Sequence, residues 1–111
     1  MKEYCYENEW PWGKSVYKII ADGAAQVDVT FDNEDPGVAW ISSLMVVPEE
    51  RRKGYATELM NWAIDYCKKH NIFKINLNSV EKGWVMNFYH KFGFVDIKEE
   101  DGFMKMYKML K

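Results

Sequence analysis

A chain of 111 residues is the size of one domain and can bury roughly two-thirds of its unfolded surface, so residues 1–111 are read as a single domain. Its 48% hydrophobic and 29% charged residues are too apolar for intrinsic disorder and too interrupted by charge for a membrane span. A net charge of -2 supplies no broad positive field, so neither nucleic acid nor a membrane surface is expected as a partner.

The chain opens with MKEYCYENEW, whose acidic residues stand where a signal peptide would carry a basic flank and an apolar run, and a cytoplasmic location is expected. Cys5 and Cys67 cannot build a disulfide framework and stand in no zinc-ligand spacing, which fits a reducing compartment and a protein without metal. Tyr4, Tyr6, Trp10 and Trp12 are too many aromatics for a free tail. They are expected either to cover a sheet surface or to pack against a second subunit, which would make a homodimer.

Ser15 to Ile20 is rich in β-branched and aromatic residues, Asp22-Gly23 reads as a turn, and Val27, Val29 and Phe31 alternate on one face, so the pattern predicts a hairpin. After the loop formers of DNEDPG comes GVAWISSLMVV, a nearly continuous apolar strand expected to be buried on both faces and stopped by Pro48. From Glu50 the period becomes helical: Ala56, Leu59, Met60, Ala63, Ile64 and Cys67 form one stripe. Lys68, Lys69 and His70 suit the negative end of that helix, and Asn71 suits a left-handed cap. Phe73 to Val80 reads as a second apolar strand. A shorter helix follows, with Val85, Phe88, Tyr89 and Phe92 on its stripe and Gly93 after it. Phe94 to Lys98 and Phe103 to Leu110 then pair across Asp101-Gly102. The predicted order is βββαβαββ, an α/β fold.

The stretch LMVVPEERRKGYAT, Leu44 to Thr57, carries the chemistry. A strand breaks at Pro48 and enters a helix through a basic turn containing Gly54. Backbone N–H groups at a helix start lack intrahelical acceptors and lie at the positive end of the dipole. Gly54 presents no Cβ, and Arg51, Arg52 and Lys53 bring positive charge, so the segment is a candidate cradle for a phosphate or pyrophosphate. It is neither a Walker A loop nor a dinucleotide fingerprint.

The segment resembles the GNAT N-acetyltransferase signature Arg/Gln-x-x-Gly-x-Gly/Ala preceded by Val-x-Pro, met by Arg51, Gly54 and Ala56 with Val46 and Pro48 upstream. A second family motif, an aromatic pair before Gly-Phe, is met by FYHKFGF, Phe88 to Phe94. The chain is identified as a short member that lacks most of the family's N-terminal helical segment. The resemblance implies a GNAT-like mixed, mostly antiparallel sheet flanked by helices. It also implies an acetyl-coenzyme A-dependent N-acetyltransferase, with acetyl-coenzyme A as co-substrate and a small-molecule or protein amine as acceptor, attacked directly in a ternary complex. The alternative is a catalytically reduced module that binds coenzyme A or a protein without turnover.

Residue by residue, the resemblance places the pyrophosphate on the backbone from Arg51 through Arg52, Lys53, Gly54, Tyr55 and Ala56 to Thr57. It places pantetheine along Leu44, Met45 and Val46, the Leu44 N–H at the thioester carbonyl, and Tyr89 as the acid that protonates the departing thiolate. Many members carry a Glu on the strand before the cradle, where this chain has Trp40-Ile41-Ser42-Ser43. An acceptor amine is therefore expected to arrive deprotonated or to lose its proton through water near Ser42, Ser43 or Asn78.

Overall fold

A computed structural model describes residues 3–80 and 82–110. Its elements run β1 Tyr4–Trp10, β2 Gly13–Ile20, β3 Ala25–Asp32, β4 Val38–Val46, α1 Tyr55–Lys69, β5 Lys74–Val80, α2 Gly83–Lys91, β6 Val95–Glu100 and β7 Phe103–Met109. The strands form one sheet in the order β1-β2-β3-β4-β5-β7-β6. Every neighbouring pair is antiparallel except β4 and β5, which run parallel on either side of the α1 crossover. This is the mixed, mostly antiparallel sheet with helices that the family resemblance implies.

One strand precedes the predicted order. The opening aromatics belong to β1, which pairs with β2 from Tyr4 against Ile19 to Trp10 against Gly13; Met1 and Lys2 lie outside the described residues. The two-residue loop Pro11-Trp12 carries no left-handed residue, unlike the Asn-Gly or Gly-x turns that usually announce a hairpin, and β1 is exposed along its whole length. The turn signal is therefore absent, and the strand's own mark is the alternation of Tyr4, Tyr6 and Trp10 with Cys5, Glu7 and Glu9. Gly13 is required by close approach, because a Cβ there would stand 1.8 Å from the Phe31 carbonyl oxygen.

Register and burial divide the sheet into a covered and a bare face. On the covered face, Val27, Val29, Ala39, Ile41, Ile75, Leu77 and Met106 form one cluster with Leu59, Met60, Ala63, Ile64 and Cys67 of α1 and with Tyr89 of α2. Each fully buried aliphatic side chain contributes about 1.5–3 kcal/mol. The alternate residues look the other way: Tyr6 stacks on Tyr17 with ring centroids 5.0 Å apart, and Trp40, Met45, Phe103 and Met109 are exposed. The expectation that β4 is buried on both faces is thus corrected. Its apolar run continues through Trp40 and Met45, but no helix among the described residues covers them. The aromatics of β1 neither seal this face nor hang free; they extend it by one strand.

The helix ends follow the sequence closely. Asn71 takes a left-handed φ of 62° just beyond α1, and Ile72 N–H donates back to the Cys67 carbonyl. Gly93 has φ 91°, and Phe94 N–H donates to the Tyr89 carbonyl, closing α2. At the terminal hairpin Asp101 and Gly102 are both left-handed, as a tight two-residue turn requires.

Candidate functional site

Strands β4 and β5 begin paired, Val38 with Lys74 through Ile41 with Leu77, and pair no further. On its other side β4 stays paired with β3 as far as Val46 with Ala25. Ser42 is an extra residue between the Val29–Ile41 and Asp28–Ser43 pairs, a bulge that bends β4 where it leaves β5. The outcome is a wedge-shaped gap with one strand edge left unpaired.

The direction of that edge follows from two hydrogen bonds. Val47 N–H donates to Ala24 on the β3 side, whereas the Val46 carbonyl accepts from Arg51 Nε at 3.1 Å. Backbone polar groups alternate sides along a strand, so those of Leu44 point with those of Val46, into the gap. The Leu44 N–H therefore faces the gap.

Beyond β4, Pro48–Glu50 makes a short 3-10 turn. Arg52 at φ 69° and Gly54 at φ 84° then turn the chain into α1. No side chain caps this helix start, and the first intrahelical bond runs from Glu58 N–H to Gly54 O. By helix geometry the Ala56 and Thr57 donors have no intrahelical acceptor. A Cβ built on Gly54 meets no protein atom within 4 Å, so it would occupy open space above these donors. A pyrophosphate needs that combination of donors, positive dipole and room, and the residues present fit it.

A groove of about 1330 Å³ joins these parts. It runs along Leu44, Met45 and Val46, past Arg51 and Arg52, to the Gly54, Tyr55, Ala56 and Thr57 start of α1, with α2 as its opposite wall. A smaller cavity of about 410 Å³ continues into the gap between Ser42, Ser43, Leu44, Asn78 and Tyr89. Of the cradle residues from Arg51 to Thr57, only Lys53 stands outside the groove lining. Its ammonium is paired with Glu50 at 3.0 Å, and that contact raises its pKa.

Tyr89 is 9% exposed and contacts Phe88 and Phe94 edge-on, with centroids 5.4 and 6.0 Å away. It is a core residue and also lines both cavities. Burial holds its phenol above the usual value of 10, so it remains protonated at neutral pH. Glu50, Trp84, Asn87, His90 and Lys91 line the groove without having been site candidates in the sequence. Trp84, with Arg51 stacked over its ring at 5.9 Å, Asn87 and Lys91 line the α2 wall. Their three- and four-residue spacing beside the Phe88–Tyr89 stripe was the available signal.

No carboxylate stands on β4 near the gap, as the sequence indicated, but Asp28 on β3 does stand directly across from Ser43. Its Oδ1 is buried without a hydrogen-bond partner among the described residues, and burial raises its pKa. An unsatisfied buried acceptor costs about 1–3 kcal/mol.

A sheet opened between two parallel strands, with an uncapped helix start at its mouth, leaves a groove with room for an extended ligand. The model of the acetyltransferase (GNAT) family matches residues 5–94, and the chain belongs to that family. An uncharacterized N-acetyltransferase of Methanocaldococcus jannaschii is 34% identical over 74 residues, 66% of this chain and 33% of the relative. The chain therefore spans about a third of the length of that curated relative. Among solved structures, the PaiA N-acetyltransferase from Thermoplasma acidophilum in complex with coenzyme A superposes with TM-score 0.73 at 20% identity, covering 86% of this chain and 59% of that one. A GNAT-family acetyltransferase from Staphylococcus aureus Mu50 gives 0.70 at 22%, covering 89% and 68%. At such identities these two establish a common fold.

Proposed function

We propose that the chain binds acetyl-coenzyme A in the groove and transfers its acetyl group to a primary amine by direct attack in a ternary complex. The observation that carries this reading is the continuity of the groove from the uncapped α1 start, along the free Leu44–Val46 edge, to Tyr89. The Ala56 and Thr57 amides, with Arg51 and Arg52, take the pyrophosphate. The backbone of Leu44 and Val46 pairs with pantetheine as if with another strand. The Leu44 N–H supports the negative charge that develops on the thioester oxygen. Tyr89 gives its proton to the leaving thiolate, whose pKa is about 8.5 by analogy with cysteine.

A second reading is favoured by one feature, the bare sheet face beside Trp40 on the side from which an acceptor would approach. A domain with no wall there could hold coenzyme A, or a protein, without turning it over. Thiol release from acetyl-coenzyme A, measured with a panel of spermidine, 2-phenylethylamine and a lysine-containing peptide, separates the two. Amine-dependent release supports transfer; coenzyme A binding without release with any amine supports the module.

A further inference from the structure

We propose that Asp28, reached through the Ser43 hydroxyl, is the final acceptor of the proton that a cationic acceptor amine must lose. This rests on the transferase reading above. Aspartate is disfavoured inside strands, yet Asp28 occupies the middle of β3 on the bare face. There it stands opposite Tyr17 of β2 and Ser43 of β4. Ser43 immediately precedes Leu44 and, like Ser42, lines the gap cavity that Tyr89 also lines. The bulge sets these two serines side by side, with Ser42 Oγ 3.3 Å from Thr30 Oγ1. One strand spacing, about 4.8 Å, separates Asp28 from the strand that borders the gap. A serine hydroxyl or one water spans that distance.

Among the described residues, no lysine or arginine stands beside Asp28 in the strand pairing. Tyr17 faces it from β2, Ser43 from β4, and Gln26 and Thr30 flank it on its own strand; the lysines of this face on the strands beyond β4, Lys74, Lys105 and Lys98, sit on β5, β7 and β6. A carboxylate with one oxygen buried and unpartnered, beneath an open face bordered by Tyr17 and Trp40, suits an ammonium group arriving from solvent, which those rings also attract. In the step itself, an ammonium N–H bond breaks and its proton passes to Ser43 Oγ, while the Ser43 proton passes to Asp28. The freed lone pair forms the C–N bond at the thioester carbonyl, the C–S bond breaks, and sulfur takes the Tyr89 proton. The remaining surplus proton on nitrogen restores Tyr89 through solvent, and Asp28 returns its proton to water. The sum is ammonium plus thioester giving amide, thiol and one proton.

The test compares wild type, Asp28→Asn and Ser43→Ala using acetyl-coenzyme A with spermidine, 2-phenylethylamine and a lysine-containing peptide. Coenzyme A affinity is measured alongside by calorimetry. Both variants should bind coenzyme A as wild type does and lose about 10²-fold in kcat/KM. Their rates should climb with pH toward the amine's own pKa, without the lower limb that an enzyme group gives wild type. A packing role alone would leave that limb in place. Should Asp28→Asn fail to fold, Ser43→Ala reports on the same relay. Wild-type turnover that both variants retain, with an unchanged pH profile, overturns the proposal and leaves the transferase reading standing. A wild type that acetylates none of these amines overturns both.

Discussion

Arg51 Nε donates to the Val46 carbonyl oxygen at 3.1 Å and so ties the turn before α1 to the unpaired edge of β4. The same guanidinium lies 5.9 Å from the Trp84 ring centroid across the groove. One side chain thereby touches both walls. Charged hydrogen bonds contribute about 1.5–3 kcal/mol, so Arg51→Ala should weaken coenzyme A binding by about 10- to 100-fold in calorimetry. Arg51→Lys should recover only part of this, since an ammonium cannot reproduce the planar fork.

Tyr89→Phe separates the two roles of a residue that is both core and groove lining. It keeps the ring contacts with Phe88 and Phe94 and removes only the hydroxyl. Turnover should fall by about 10²- to 10⁴-fold with coenzyme A affinity little changed. Because burial holds the phenol above its usual value, the wild-type rate should show no alkaline loss assignable to Tyr89 below about pH 10. A variant that keeps most of the wild-type rate would show that the thiolate leaves without this proton.

Asp28 also carries a stability signature. Its folded pKa is raised above the unfolded carboxylate value, so the folded state binds the proton more tightly. Ionisation therefore opposes folding, and the cost is fully present above the folded pKa. The cost is relieved as pH falls from the folded toward the unfolded pKa. Asp28→Asn should raise the melting temperature by a few degrees at pH 7, and the gain should disappear near pH 4. An equal gain at both pH values would contradict this assignment.

Strand β1 is fastened by the Tyr6–Tyr17 stack and, on the covered face, by Glu7, which pairs with Lys14 at 3.5 Å and accepts from the Tyr66 hydroxyl at 3.5 Å. A stacked ring pair is worth about 0.5–1.5 kcal/mol beyond its buried area, and exposed ion pairs less. Removing residues 1–12 should lower the melting temperature by roughly 5–15 °C, at about 4–8 °C per kcal/mol. A truncated chain with an unchanged melting temperature would show the strand to be dispensable.

Much of this fold could be read from the sequence because its signals were local. The α1 stripe, the left-handed Asn71 and Gly93, and the Asp101-Gly102 turn each report a conformation through a single residue type or period. The cradle was legible for the same reason, since Pro48, Arg51 and Gly54 mark a strand end, a charge and a left-handed turn. Strand β1 was missed although Tyr4, Tyr6 and Trp10 alternate with Cys5, Glu7 and Glu9, because its Pro-Trp turn carries no left-handed residue to announce a hairpin. The bare side of β4 was also hidden: Trp40 and Met45 are as apolar as buried residues, and only the three-dimensional layout shows that nothing covers them. Asp28 comes to stand opposite Ser43 through strand pairing, which sequence spacing does not encode.

The measurement closest to the central claim is calorimetric titration of coenzyme A into wild type and Gly54→Glu. The glutamate would enter the open space above the Ala56 and Thr57 donors and put a negative charge where the pyrophosphate belongs. Its left-handed φ of 84° adds strain of about 1–2 kcal/mol, so a melting curve must show that the variant stays folded. Saturable binding to wild type and none to folded Gly54→Glu is the predicted result. No binding to wild type at millimolar coenzyme A, or equal binding to both proteins, would contradict the placement of the ligand in this groove.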